Sequence, residues 1–313
     1  MSLISAIIMF LLLMNEYFNY KAYNTTTLMY VDKNRGSDNL TVRIDIDFNN
    51  LPCELVAIEI RNNLGLNSFT VEGDLNKYVL DSKHQIIGQK PYAIQNLGTF
   101  GHNHQHVAQP DYEFVKKQVK NKEGCKLKGS FTLDAVPGAF IISSMAFGPV
   151  LERLRREGLD KDINIEHTIN ELSFGEKIKR HKLLGFGRES NKLLNTLHNK
   201  KREKEKAPMV YQYYLKIVPT KYVYYSGNTY NLYHYTANSF AEMSPDRKPL
   251  LFFKYDLSPI TVEYKHTKMS FLTFIINVFA ILGGVFTVAG IIDSIIHKSV
   301  LILLRKAEMN KIA

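Results

Sequence analysis

Hydrophobic and polar positions divide the chain into two apolar ends and a long middle in which they alternate. Near the C-terminus, "FLTFIINVFAILGGVFTVAGII" (residues 271–292) carries no charged side chain, and only Thr273, Asn277 and Thr287 are strongly polar. Its 22 residues reach roughly 33 Å as a helix, which matches a hydrocarbon core of about 30 Å. A soluble helix of that length with no polar face needs protein on every side. A transmembrane helix over 269–296 is therefore predicted, flanked by Lys265 and Lys268 before it and by Lys298 after it. Gly283, Gly284 and Gly290 would each weaken a soluble helix by about 1 kcal/mol but are tolerated in lipid. With Thr287 they form one small-residue face, which reads either as ordinary membrane-helix composition or as a seam for a partner helix.

The other end, "MSLISAIIMFLLLMNEYFNY", offers an apolar run from Leu3 to Met14 with no basic residue before it and no clear cleavage site. Residues 1–20 read as a poor signal peptide, a short signal-anchor, or part of a transmembrane segment. Between the ends, "LTVRIDIDF" alternates without a fault: Leu40, Val42, Ile44, Ile46 and Phe48 on one face, charged and polar residues on the other. "ELVAIEI", "CKLKGSFTLD", "VYQYYLKIVP", "KYVYYSG", "TYNLYHYTA", "PLLFFKYDL" and "PITVEYK" are further strand candidates, punctuated by Gly and Pro. Helices are expected only at "PDYEFVKKQVKN", "GPVLERLRREG" and "RESNKLLNTLHNKKREKEK". The predicted fold is mainly β, a sandwich over 21–268 with a few helices, followed by a tail over 297–313.

The net charge of +10 would point to nucleic acid were it not concentrated in one place. Residues 176–206 hold eleven Lys or Arg against four Glu, and the remainder is close to balanced. No nucleic-acid-binding pattern accompanies the charge, so the stretch reads as a solvated loop or exposed helix inserted between strand-rich halves, and no nucleic-acid partner is expected. Cys53 and Cys125 pair in an oxidising lumen and stay as buried free thiols in cytosol. Asn24 and Asn39 head glycosylation acceptor patterns, which with the cysteines favours a lumenal middle domain.

Candidate chemistry is sparse. No phosphate loop, nucleophile elbow, zinc-protease or C-x-x-C pattern occurs, and no cofactor or enzymatic activity is expected. "HNHQH" alternates His102, His104 and His106, which reads as a solvated loop, a metal site, or a pH sensor, since His titrates between pH 5 and 8. His167 stands beside an apolar run, as a satisfied structural histidine or a pH-sensing one. In the tail, Leu301, Ile302, Leu303 and Leu304 read equally as a hydrophobic export signal and as membrane-proximal helix. Lys311 makes only half of a dilysine signal.

Taken in order, "LMYVDKNRG", "LTVRIDIDFNNLPC", "EGCKLKGSFTLDAVPGAF", "HTINELSFGE", "YQYYLKIVPTKY" and "KYDLSPITVEYKHTKMSFLTFIINVFAILGGVFTVAGIIDSI" resemble the ER-vesicle and ER–Golgi intermediate compartment (ERGIC) proteins, cargo receptors of COPII vesicles. The resemblance implies two transmembrane helices, short cytosolic termini and a lumenal β-sandwich. It implies hetero-oligomerisation with a paralogue, cycling between ER, intermediate compartment and Golgi membranes with COPII and COPI coats, and lumenal cargo that includes escaped ER residents. Cys53 and Cys125 fall at the family's Pro-Cys and Gly-Cys positions, which supports their pairing. Against the family pattern, the chain opens partway through the first span, and it lacks the cysteine-rich stretch of the larger subfamily. It therefore resembles the smaller partner subunit. An ER-anchored lumenal enzyme subunit, or a structural subunit without a cargo site, are the alternative readings.

Overall fold

The computed structural model describes residues 2–31, 39–62, 67–68, 71–92, 96–99, 105–178, 192–203, 209–244 and 250–309. In chain order the strands are β1 (Asn24–Val31), β2 (Asn39–Phe48), β3 (Ala57–Asn62), β4 (Asn67–Ser68), β5 (Gly73–Leu80), β6 (Ile86–Pro91), β7 (Asn96–Thr99) and β8 (Gln105–Val107). They continue as β9 (Gly124–Asp134), β10 (Gly138–Ser143), β11 (His167–Phe174), β12 (Lys200–Arg202), β13 (Met209–Val223), β14 (Thr229–Met243), β15 (Leu250–Leu257) and β16 (Ile260–Thr267). The helices are α1 (Ser2–Lys21), α2 (Tyr112–Lys120), α3 (Gly148–Arg156) and α4 (Phe271–Met309). They build two compact units: one of Leu28–Tyr222 and Thr229–Tyr264, the other of Met1–Thr27, Val223–Asn228 and Lys265–Ala313.

The first unit is a sandwich. One sheet runs β16-β13-β15-β10-β3-β4 with β14 beside β13, and the other runs β12-β11-β2-β9-β5-β6. The alternation of β2 decides its burial: Leu40, Val42, Ile44, Ile46 and Phe48 are at most 2% exposed. Phe140, Tyr213 and Phe253 stack from the facing sheet, with ring centroids 4.6 and 5.1 Å apart. Close approach of β5 to β9 needs Gly129, whose φ is +146° and where a Cβ would come 2.1 Å from the Asp74 carbonyl oxygen. Asp111 caps α2 by accepting from the Phe114 N–H at 3.2 Å.

Three sequence expectations are corrected. "VYQYYLKIVP" and "KYVYYSG" are one strand, β13, running through Pro219. Its register with β15 ends at Ile217, so the missing Pro219 N–H interrupts no bond of that ladder. The basic stretch is not one exposed helix: Lys200–Arg202 pairs with β11 as an edge strand, and Leu197 before it is buried. Strand β5 went unread because its inward face is Leu75, Lys77 and Val79, and a buried lysine breaks the apolar period.

In the second unit α1 and α4 pack together. Among the described residues, one helix, α4, is long and apolar enough to cross a membrane, over Phe271–Leu303. Its side chains turn outward, Phe279 being 68% and Phe286 67% exposed, which no soluble core helix tolerates. The helix continues without a break past Ile296 to Met309, so the expected tail begins as helix. Thr26 Oγ1 donates to the Lys265 carbonyl and Thr267 Oγ1 to the Asn24 carbonyl, both at 3.3 Å, tying the start of β1 to the end of β16.

Candidate functional site

Cys53 opens a short 3-10 turn and Cys125 lies early in β9; their sulfurs are bonded at 2.04 Å, and both residues are buried. Beside them lies a lysine that sequence reasoning missed. Lys77, 7% exposed, enters from β5 and donates to the carbonyls of Cys53 at 3.0 Å and Val56 at 2.6 Å. Its ammonium also lies 5.0 Å from the Tyr92 ring centre. Burial pulls the amine down to about 8, partly opposed by Glu54 and assisted by Lys90, which pair with each other. The Cys53 carbonyl, which also accepts the Val56 N–H at 3.3 Å, and the Val56 carbonyl are thus held by one ammonium. This amine pins the turn.

His167 spans the sandwich. Its Nδ1 is 2.9 Å from the Ile165 carbonyl oxygen, which can only accept, so Nδ1 carries the proton. Its Nε2, 2.9 Å from the Tyr213 hydroxyl, therefore accepts. Burial holds the imidazole down at about 4; the Ile165 bond opposes this and the Arg202 guanidinium adds to it. Arg202 comes from the basic stretch and donates to Ser239 Oγ at 2.8 Å, so this residue of the stretch is structural. A second buried histidine, His234, lies 2.7 Å from the Tyr222 hydroxyl, and burial lowers it also to about 4. Both remain neutral over the pH range in which an ordinary histidine titrates. In the fold His167 is buried and bonded at both ring nitrogens.

On the outer face of the six-stranded sheet, Asp45 and Asp47 accept from Asn170 Nδ2 at 3.1 and 2.8 Å and pair with Lys126 at 2.9 and 3.1 Å. Burial alone would raise Asp45, but hydrogen bonds from Lys126, Asn170 and Lys128 hold it below its ordinary value. Among the described residues no three His, Cys, Asp or Glu are grouped as for a metal ion.

The remaining candidates are scattered. His102 and His104 lie outside the described residues, and His106 is on β8. Asn24 and Asn39 are exposed at the starts of β1 and β2. Leu301, Ile302 and Leu303 are exposed on α4, Leu304 continues that helix, and Lys311 lies outside the described residues. Thr287 Oγ1 bonds back to the Gly283 carbonyl at 2.8 Å. A Cβ on Gly283, Gly284 or Gly290 would meet nothing within 4 Å. Gly284, Val288 and Ile292 instead line an apolar groove of about 270 Å³ with Ile4 and Ile8 of α1. Toward the Lys268 end of the helix pair, Asn277 Nδ2 donates to Glu16 Oε1 at 2.7 Å, and Tyr20 packs on Phe274 at 4.7 Å.

Residues 92–293 match the family model of the endoplasmic reticulum vesicle transporter, and residues 1–69 match that of the endoplasmic reticulum–Golgi intermediate compartment. Endoplasmic reticulum–Golgi intermediate compartment protein 1 of Danio rerio is 28% identical over 302 residues, covering 94% of this chain and 85% of that protein. Protein disulfide-isomerase 5-4 of Arabidopsis thaliana is 34% identical over 203 residues, 62% of this chain but only 40% of that protein. The crystal structure of Erv41p superposes with a TM-score of 0.50 at 18% identity, covering 76% of this chain and 99% of that one, and so shares the fold. With a family match over most of its length, laid on a disulfide-closed sandwich and an apolar C-terminal helix, the chain belongs to the endoplasmic reticulum vesicle transporter family.

Proposed function

We propose that the chain is a membrane-bound sorting receptor that cycles between the endoplasmic reticulum and the Golgi. In this reading α4 and α1 both cross the bilayer and the sandwich lies in the lumen. The termini meet COPII and COPI coats, a paralogous subunit completes a hetero-oligomer, and the sandwich binds lumenal cargo, including escaped ER residents. The observation that carries the reading is the union, in one chain, of a sandwich closed by Cys53–Cys125 with a helix long and apolar enough to span. A disulfide belongs to an oxidising compartment. Family membership supports the transport role.

The test is capture of tagged protein from crosslinked vesicle membranes, with and without the paralogue, at neutral and mildly acidic pH. Cargo retained after depletion of the paralogue supports a direct receptor. Cargo lost with the paralogue supports instead a structural subunit. If His102, His104 and His106 time release, changing all three to Gln flattens the pH dependence of capture; an unchanged dependence removes them from the mechanism.

The groove beside Gly284 supports a seam for a partner helix, because small residues let helices approach closely. Gly284→Leu fills open space within this chain, so the fold survives. Co-purification of the paralogue is expected to fall by roughly tenfold, on the order of 1.4 kcal/mol. Undiminished association leaves the glycines as membrane composition only.

A further inference from the structure

The turn that joins β13 to β14, "VYYSGN", belongs to the same compact unit as α1 and α4. The Tyr224 N–H donates to the Asn228 carbonyl and the Gly227 N–H to the Tyr224 carbonyl, both at 2.9 Å, and Gly227 takes φ +86°. So tight a turn leaves Tyr225 63% exposed. Its ring lies 5.9 Å from that of Tyr23, which is itself 56% exposed. Tyr23 stacks on His266 at 5.8 Å, and Tyr224 meets His266 edge-on at 5.3 Å.

This aromatic cluster is tied by short chain segments to both helix ends. Tyr23 is two residues beyond the end of α1. Two residues span at most about 7 Å, and the polar headgroup layer is roughly 5–8 Å deep on each bilayer face. Lys21, Lys265 and Lys268 stand nearby in sequence, and neither Val223–Asn228 nor Lys265–Ser270 contains an acid. Tyrosine has an apolar ring and a hydroxyl that prefers water, which suits it to that layer.

We infer that the Val223–Asn228 turn is a phospholipid-binding wedge: the Tyr225 ring lies among the headgroups of the membrane that α4 enters, and the neighbouring lysines face the phosphates. The inference rests on the reading that α4 spans the bilayer. It adds a second attachment to the membrane, made by a turn of the sandwich's own hairpin.

The sequence has no Trp, so a single introduced one reports alone. The full chain is placed in phosphatidylcholine–phosphatidylserine nanodiscs carrying spin-labelled lipid, either at the headgroup or deep in the acyl chain. Three variants are compared: Tyr225→Trp, Phe286→Trp within α4, and Tyr214→Trp on the sandwich, where Tyr214 is 40% exposed. Tyr225→Trp is expected to be quenched about threefold more by the headgroup label than by the deep one, given the separation of the two depths. Phe286→Trp should show the reverse order, and Tyr214→Trp neither. Deep quenching of Phe286→Trp with an unquenched Tyr225→Trp overturns the wedge and leaves the span standing. A blue-shifted but unquenched Tyr225→Trp assigns the turn to a protein contact and likewise overturns it. If Phe286→Trp escapes the deep label, the span fails and the wedge falls with it.

Discussion

Replacing Cys53 and Cys125 together by alanine is expected to lower the unfolding free energy by about 4 kcal/mol, the largest effect of any substitution considered. The bond closes a loop across a sequence separation of 72 residues. Chain-entropy reasoning puts the constraint it places on the unfolded chain at roughly 4 kcal/mol. The effect does not stop at entropy. Cys53 sits in the turn whose carbonyls Lys77 caps, and Cys125 lies on β9 opposite Val79. Losing the bond frees the turn and the buried amine together. Urea unfolding of the purified protein checks this, the midpoint falling and the slope rising as the uncrosslinked unfolded chain exposes more surface. A shift below about 1 kcal/mol would mean that Lys77 and the core around it hold the turn unaided.

The second large effect is on pH. An ordinary histidine titrates near 6.5, and His167 and His234 are each held near 4 in the fold. The unfolded chain therefore binds protons that the folded one refuses. Their contribution is fully present above pH 6.5 and is lost as pH falls through 4, by on the order of 3 kcal/mol per histidine. Asp45, also depressed, loses its contribution only below the ordinary carboxylate range, so the upper part of the window belongs to the histidines. Stability measured from pH 7 downward should drop most steeply between about 6 and 4. His167→Gln should flatten roughly half of that slope. An unaltered slope would place the proton uptake elsewhere. For the proposed receptor the consequence is that these two histidines weaken the sandwich as pH falls from about 6.5 toward 4.

How much of this could be read in advance varied with the physics of each segment. Strand β2 was plain because one face meets only apolar core and the other only solvent, and that difference is a period of two. β13 was read as two pieces because Pro219 looks like a break, while the ladder that spares its N–H is set by where β15 ends. β5 was missed because its inward Lys77 finds acceptors in a turn more than 20 residues away, at Cys53 and Val56. Nothing local marks such a lysine as buried. Arg202 is similar: in sequence it belongs to a run of exposed charge, while in the fold it reaches Ser239 and lies beside His167.

The sequence by itself determined the sandwich class, the span-length helix and the family, because each is written in a run or an order of residues along the chain. The tertiary structure alone decided which histidines are buried, why a lysine is inside, and which tyrosines gather at the helix ends. Those depend on partners distant in sequence, and burial, the term that sets their chemistry, exists only once the sheets have closed. For α4 the two levels meet: its length came from sequence, and the fold leaves its Phe279 and Phe286 facing outward, as a helix long and apolar enough to cross a membrane would have them.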